Sequence, residues 1–273
     1  MAQEFKALLV EQPEKKFFTR KIVTRTVDEL PAGELLVKVH YSSLNFKDAL
    51  SAVGNPGVTR NFPHTPGIDA AGEVVECSDG SFAPGDQVIV TSYDLGMETD
   101  GGFGQMIRVP SKWAIKLPEG LSLKESMMLG TAGLTAAMSV QELIENGVTP
   151  EADPVLVTGA TGGVGSLAVA MLGKAGFKVT AATGKLDESD YLKGLGATEV
   201  IERTAVTEGV ERPMMKTKWA GVVDCVGGEM LVAALKSTNY CGTVTCCGLV
   251  GSPDLAVNVF PFILRGVRLI GID

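Results

Sequence analysis

Histidine is nearly absent from this chain: His40 and His64 are the only two in 273 residues. A catalytic zinc needs three protein ligands drawn from His, Cys and carboxylates. No such set is found in the sequence, so no metal is expected. Cysteine is also sparse. The five, Cys77, Cys225, Cys241, Cys246 and Cys247, are odd in number and form no CxxC pair. That argues against a disulfide framework and fits a reducing compartment. Cations are outnumbered, 24 Lys and Arg against 32 Asp and Glu, for a net charge of −8. Binding to phosphate backbones needs the opposite balance, so nucleic acid is not an expected partner. No apolar stretch reaches the ~20 residues of a membrane-spanning helix, and no membrane partner is expected. The opening MAQEFKALLVEQ has no basic region followed by a long apolar run, so no secretory signal is read there. The expected location is the cytoplasm.

What is present is a globular composition, 45% apolar and 21% charged, enough for one large core or two ordinary ones. The two halves differ in rhythm. Up to about residue 120, short apolar runs (Lys6–Val10, Glu34–His40, Gly72–Glu76, Gln87–Ser92, Met106–Pro110) alternate with Pro-Gly and Gly-Asp punctuation, which predicts a β-rich domain. Leu123–Asn146 then reads as a long helix. Beyond it strands and helices alternate: strand Pro154–Thr158, helix Val164–Ala175, strand Lys178–Thr183, helix Asp187–Leu195, strands Glu199–Ile201 and Gly221–Cys225, helix Glu229–Ser237, and strands Thr243–Gly248 and Val267–Ile272. That order predicts a parallel sheet with helices on both faces. The expected class is α/β, with a β-rich domain over residues 1–123 and a doubly wound, Rossmann-type domain over 124–273.

The segment Val155-Leu-Val-Thr-Gly-Ala-Thr-Gly-Gly-Val-Gly165 carries the strongest functional signal. A buried strand enters a glycine cluster, and an Ala-rich helix leaves it at once. Small residues let a pyrophosphate approach the backbone, and the first N–H groups of the helix bond its oxygens. Ala160-x-Gly162-x-x-Gly165 fits the dinucleotide fingerprint with Ala in place of the first glycine, and Thr161, Gly162, Gly163 and Val164 are the expected phosphate contacts. A turn without ligand leaves this composition unexplained. An NAD site usually carries Asp or Glu at the end of the second strand to hold the ribose 2′-hydroxyl. Here that strand ends in Thr183-Gly184-Lys185, and Arg203 follows the third strand. A hydroxyl and two cations suit a 2′-phosphate, so the expected cofactor is NADPH, although solvated surface is the other reading of each cation. The turn also matches the short-chain dehydrogenase pattern. It lies mid-chain, however, and none of Tyr41, Tyr93, Tyr191 and Tyr240 has a Lys four positions on. No Gly-Lys-Ser/Thr follows the glycines, which excludes a P-loop.

A β-rich domain followed by a mid-chain nucleotide fold resembles the medium-chain dehydrogenase/reductase superfamily, and more closely its quinone-oxidoreductase branch. Five segments look like the YhdH/YhfP group, which includes NADPH-dependent acrylyl-CoA reductases. They are Tyr41-Ser-Ser-Leu-Asn-Phe-Lys-Asp-Ala-Leu50, Asn61-Phe-Pro-His-Thr-Pro-Gly-Ile-Asp69, Gly130-Thr-Ala-Gly-Leu-Thr-Ala136, Val157–Gly165 and Pro261–Asp273. The resemblance implies a GroES-like first domain. It also sharpens the judgement on zinc. Zinc-dependent relatives carry Gly-His-Glu where this chain has Gly67-Ile68-Asp69, and a Cys where it has Ser43-Leu-Asn45. Without a metal, reduction of an activated C=C bond is easier than alcohol oxidation. The substrate's own carbonyl draws charge, and donors then stabilise the developing enolate.

The expected reaction is therefore NADPH-dependent reduction of acrylyl-CoA or a related enoyl-CoA or enone. The alternatives are an NADPH:quinone oxidoreductase and a non-catalytic NADPH-binding protein. Asn45 and Asp48 are the candidate catalytic groups, with a turn-stabilising pair as the other reading. The resemblance puts Phe46 on the cofactor, where most relatives have Tyr, and Leu249 and Ile272 on the nicotinamide side. Thr131 and Thr135, near the start of the long helix, either touch the cofactor or cap the helix. Cys246-Cys247 reads as strand core, with no cation nearby in sequence to lower either thiol. Relatives continue beyond the position of Asp273, so a missing C-terminal return segment is expected. An exposed edge strand at Val267–Ile272 and the resemblance together predict a homodimer.

Overall fold

The computed structural model describes residues 3–273. The chain divides into two compact units, one ending at Thr131 and the other running Ala132–Asp273.

The first unit is built on antiparallel strands. β1 (Glu4–Glu14) and β2 (Phe17–Thr26) form a two-stranded ribbon. A five-stranded sheet combines β3 (Leu35–Tyr41), β4 (Asp69–Cys77), β5 (Gln87–Thr91), β6 (Met106–Val109) and β7 (Ala114–Lys116) in the order β6-β3-β4-β5-β7. Leu35, Val37, Ala70, Val74, Val88, Val90, Ile107 and Val109 interdigitate as its core. Between β3 and β4 lies a short helix, α1 (Phe46–Ala52). The segment holding Asn45 and Asp48, expected as a turn, is thus a helix start: Asn45 is the N-cap and Asp48 the third helical residue. Their reciprocal side-chain bonds to each other's backbone N–H groups form a capping box.

α2 (Leu123–Glu145) has the length expected of the long helix but is broken at Gly130, whose backbone is non-helical (φ 51°, ψ −156°). A left-handed φ here is cheap only for glycine. Space is short as well. A Cβ at position 130 would lie 2.6 Å from Ser43 Oγ and 2.7 Å from Asp69 Oδ2. Thr131 and Thr135 accordingly stand just past a kink, not at the head of an unbroken helix.

The second unit is a six-stranded parallel sheet in the order β10-β9-β8-β11-β12-β13. Its strands are β8 (Val155–Thr158), β9 (Val179–Thr183), β10 (Glu199–Glu202), β11 (Trp219–Asp224), β12 (Thr238–Cys246) and β13 (Arg268–Gly271). Helices α3 (Gly163–Lys174), α4 (Ser189–Leu195), α5 (Thr204–Thr207), α6 (Gly228–Ser237) and α7 (Phe260–Arg265) connect them. One core packs the later part of α2 and α3 on the sheet through Ala136, Val140, Leu143, Ala168, Val169 and Leu172. The other packs α6 through Leu231, Ala234 and Leu235. From β8 the chain runs outward through β9 to β10, and then returns to the other side of β8 at β11. The strand order reverses there, and open α/β sheets bind ligands outside the carboxyl ends of strands at such a point.

Candidate active site

The fully buried strand β8 delivers the glycine turn to that switch point. Gly159 takes a left-handed φ of 59°, and Gly162 caps α3. A Cβ at position 165 would lie 2.3 Å from the Gly159 carbonyl oxygen, so the third glycine is what lets the helix sit this close to the strand. The first N–H groups of α3 have no intrahelical acceptor, and Gly162 and Gly163 keep the approach to them free of side chains.

Next to this turn is a cleft of about 450 Å³ lined by Gly159, Thr161, Ala182, Thr183, Gly184, Lys185, Arg203, Val226, Met230, Val250 and Gly251. Thr161 Oγ1 and Thr183 Oγ1 lie 3.2 Å apart, and Thr183 Oγ1 accepts the Lys185 backbone N–H at 3.0 Å. The Arg203 backbone N–H donates to the Thr183 carbonyl at 2.9 Å. Its guanidinium lies across Gly184, where an added Cβ would meet Arg203 Nε at 3.2 Å. Among the described residues, the charged side chains lining the cleft are Lys185 and Arg203, both cations. The structure thus gathers Thr161, Thr183, Gly184, Lys185 and Arg203 around one opening, with Gly162, Gly163 and Val164 on the adjoining turn.

A second hollow, of about 410 Å³, is lined by Cys246, Cys247, Gly248, Leu249, Gly271, Ile272 and Asp273. It brings Leu249 and Ile272 together from the ends of β12 and β13. Cys246 and Cys247, expected as strand core, are half-buried and open onto it.

Asp224, at the end of β11, was not singled out from the sequence. Fully buried, it accepts Thr158 Oγ1 at 2.7 Å and the Gly227 N–H at 2.7 Å. The Thr158 hydroxyl also accepts the Cys225 N–H at 3.0 Å. Burial raises the Asp224 carboxyl above its usual value against these bonds. Its work is to hold the Cys225–Gly228 loop against the glycine strand.

In the first unit the sequence-predicted Asn45 belongs to a cluster centred on Asp69, a residue noted in the sequence only as a departure from a zinc motif. Asp69 is fully buried. Its carboxylate accepts Asn45 Nδ2 at 2.8 Å, the Thr131 N–H at 3.0 Å, Thr131 Oγ1 at 2.7 Å and the Ser43 hydroxyl. Thr91 Oγ1 lies 2.9 Å from Thr131 Oγ1. Burial pushes the Asp69 carboxyl up, but the bonds from Ser43, Thr131 and Thr91 outweigh it and hold the group ionised, below its ordinary value. Asp48 is nearly inaccessible too. Its carboxylate accepts the backbone N–H groups of Asn45 at 2.7 Å and Ile68 at 2.9 Å, while burial raises its pKa. Phe46, in contrast, is 56% exposed, and Thr135, on the helix after the kink, accepts Ser139 Oγ through its carbonyl at 2.8 Å.

Residues 31–119 match the alcohol dehydrogenase GroES-like domain, and residues 163–273 match the zinc-binding dehydrogenase family. The acrylyl-CoA reductase AcuI of Ruegeria pomeroyi is 44% identical over 270 residues, 98% of this chain and 82% of that protein. The chain belongs to the medium-chain dehydrogenase/reductase superfamily. YhfP of Bacillus subtilis is 49% identical over 252 residues, 92% of this chain and 76% of the relative. The YhfP crystal structure with NAD bound superposes with a TM-score of 0.94 at 47% identity, covering 100% of this chain and 82% of that one. The yhdH oxidoreductase from Salmonella enterica, solved in complex with NADP, gives 0.93 at 42% identity, covering 98% and 82%. These relatives place the chain in the quinone oxidoreductase-like group of the superfamily, as the sequence motifs implied.

The zinc-binding dehydrogenase family raises the question of a metal, and the donor set of this medium-chain dehydrogenase/reductase does not fit one. His40 Nε2 is 3.5 Å from Glu73, on the far part of β3. His64 is buried with Nε2 2.9 Å from the Gly96 carbonyl. Both carboxylate oxygens of Asp69 are already engaged by protein donors. Among the described residues, no three His, Cys, Asp or Glu side chains come together in a way that holds a metal ion.

Proposed function

We propose that this protein is a zinc-independent, NADPH-dependent reductase of an activated C=C bond, acting on acrylyl-CoA or a closely related enoyl substrate. The observation that carries the cofactor reading is the cleft beside the glycine turn, whose charged lining among the described residues is Lys185 and Arg203. A ribose 2′-phosphate is welcome there, and among the described residues no carboxylate lines the cleft to bond a bare 2′-hydroxyl. NADP in the Salmonella enterica relative agrees with this reading, and NAD in the YhfP crystal makes the preference a matter for measurement. The substrate reading rests on the 44% identity to AcuI.

A bound nicotinamide supplies the hydride that adds to the β-carbon. The chain's own residues bind and orient. Backbone N–H groups of Gly162, Gly163 and Val164 take the pyrophosphate, and Leu249 and Ile272 offer an apolar rest for the nicotinamide ring. Asn45, its amide oriented by the ionised Asp69, serves as the polar group toward the substrate carbonyl, and Asp48 holds the backbone that presents it. Phe46 and Thr135 complete the proposed cofactor contacts. The protein is proposed to act in the cytoplasm as a homodimer, and β13 is an outer strand of its sheet with an open edge. None of the described helices is long and apolar enough to cross a membrane.

The test is NADPH oxidation with acrylyl-CoA beside a simple quinone. A kcat/KM for acrylyl-CoA well above that for the quinone supports the reading. The reverse order favours a quinone oxidoreductase, the reading suggested by the group to which the chain belongs. Nucleotide binding without turnover of either would leave a non-catalytic NADPH-binding protein.

A further inference from the structure

The five cysteines are not equally placed. Cys77 and Cys241 stand apart from the rest, Cys77 near Asp79 and Cys241 exposed. The other three lie where β11 and β12 end side by side. These strands are parallel and in register, with Val223 opposite Thr245 and Asp224 opposite Cys246. The next pair along is Cys225 and Cys247. The Cys247 N–H still donates to the Asp224 carbonyl at 3.0 Å, so the ladder continues to this point. Neighbouring strands lie about 4.8 Å apart, inside the range of Cα separations, roughly 4.4–6.8 Å, that a disulfide spans.

The side chains are also on the same side. Successive residues of a strand point to opposite faces. Cys246 packs into the core beneath α6, and Cys225 into the core beneath α3. Cys247, one residue past Cys246, is therefore turned toward Cys225, and the two Sγ atoms are 3.9 Å apart. A disulfide needs about 2 Å, a gap that side-chain rotation can close without moving the strands.

The two thiols differ in the way that such chemistry requires. Cys247 is half-buried and lines the hollow at the end of β12, open to a small solute. Cys225 lies behind it. Cys247 Sγ donates toward Cys225 Sγ at 3.9 Å and toward the Asp224 carbonyl at 3.6 Å; this contact between the sulfurs, together with burial, raises the Cys225 thiol, and it lowers that of Cys247. The group that lowers the Cys247 thiol is a second cysteine distant in sequence, which is why no cation near it gave the effect away.

We propose that Cys247 and Cys225 are a peroxide-oxidised pair that closes to an intramolecular disulfide. The Cys247 thiolate attacks the peroxide oxygen, the O–O bond breaks, and hydroxide leaves, giving a sulfenic acid at Cys247. The Cys225 sulfur then attacks that sulfur; the S–S bond forms as the S–O bond breaks, and the proton of Cys225 leaves with the oxygen as water. Two thiols and one hydrogen peroxide become one disulfide and two waters.

The bond would fasten together two segments that already pack tightly. A Cβ at Gly248 would lie 2.0 Å from the Cys225 carbonyl oxygen, and the Gly251 N–H donates to the Val226 carbonyl at 2.8 Å. Val226, Val250 and Gly251 form one wall of the dinucleotide cleft, so oxidation would fix the spacing of that wall.

The experiment treats the nucleotide-free protein with hydrogen peroxide, alkylates the remaining thiols, and reads intact mass and the peptide map. The expected result is a loss of about 2 Da, a Cys225–Cys247 cross-linked peptide, two fewer alkylated cysteines, and full reversal by dithiothreitol. In Cys225→Ser the reaction should stop at a Cys247 sulfenic acid that dimedone traps. In Cys247→Ser peroxide consumption should fall about tenfold or more, because the thiol of the pair that opens onto the hollow is gone. A wild-type protein in which Cys225 and Cys247 both stay alkylatable would overturn the proposal. So would a cross-link through Cys246, or Cys247 carried to sulfinic acid with Cys225 still free. The wild-type peptide map decides the matter even where a serine variant fails to fold.

Discussion

The side-chain amide of Asn45 donates to the Asp69 carboxylate at 2.8 Å, and the same carboxylate holds Thr131 through both its hydroxyl and its backbone N–H. One buried anion therefore orients a candidate substrate-binding amide and pins the backbone just past the kink in α2. Asp69→Asn would leave some of these donors without an acceptor. We expect a loss of about 3 kcal/mol in urea unfolding and a fall in kcat larger than the change in KM for NADPH. An unchanged unfolding midpoint would show that the cluster does not carry this load.

The two buried carboxylates should give opposite pH signatures. Asp69 titrates below its ordinary value in the folded chain. Its stabilisation is complete above the unfolded pKa, near pH 4, and is lost as pH falls toward the lower folded value. Asp224 titrates above its ordinary value, so its ionisation costs stability above that raised pKa, and the cost is relieved as pH falls through it. Denaturation of the wild type between pH 6 and pH 3 (about the carboxylate range) should thus steepen in Asp224→Asn and flatten in Asp69→Asn. Parallel curves for the two variants would contradict both assignments.

Lys185→Glu should raise KM for NADPH by about 10- to 100-fold, the worth of one charged hydrogen bond, and raise KM for NADH far less. Arg203→Ala should act in the same direction. Steady-state kinetics with both nucleotides decide it. Equal effects on NADPH and NADH would remove the 2′-phosphate from this cleft.

Gly165→Ala sets a methyl group 2.3 Å from the Gly159 carbonyl oxygen. Separating helix from strand should cost about 1–3 kcal/mol and weaken nucleotide binding, measured by thermal melts with and without NADPH. Retained stability together with retained affinity would mean that the turn tolerates the wider spacing.

Gly130→Ala forces a left-handed φ on an alanine and places its Cβ against Asp69 and Ser43. Destabilisation of about 2 kcal/mol or more is expected. A midpoint within error of the wild type would show that the kink relaxes.

Much of this architecture is visible in the residues because its cause is local. The central strands β8 and β11 are buried along their whole length and mainly apolar, and the glycine turn is a backbone requirement written directly in the residue types. The parts that escape notice depend on distant neighbours. β2 reads Phe-Phe-Thr-Arg-Lys-Ile-Val-Thr-Arg-Thr and has no buried residue, so it has no buried face to imprint an alternation. α1 is too short for helical periodicity, although Asn45 and Asp48 at capping-box spacing were a usable signal. α7 is short as well, with a proline in its first turn. The role of Asp69 escapes the sequence because its donors arrive from positions 43, 45 and 131. The Cys225–Cys247 approach is a matter of register between strands that are 22 residues apart in sequence.

Arg203 is tied to the end of β9 by its own backbone bond to Thr183, and Glu202 faces Thr183 across the ladder. The two cations of the cleft are thus set on separate strand ends and share no loop. Grafting residues 184–188 into another scaffold would carry Lys185 along and leave its companion behind. Any attempt to rewrite nucleotide preference has to treat the β9–β10 pairing as the unit of inheritance, with a one-residue slip enough to turn the guanidinium to the opposite face.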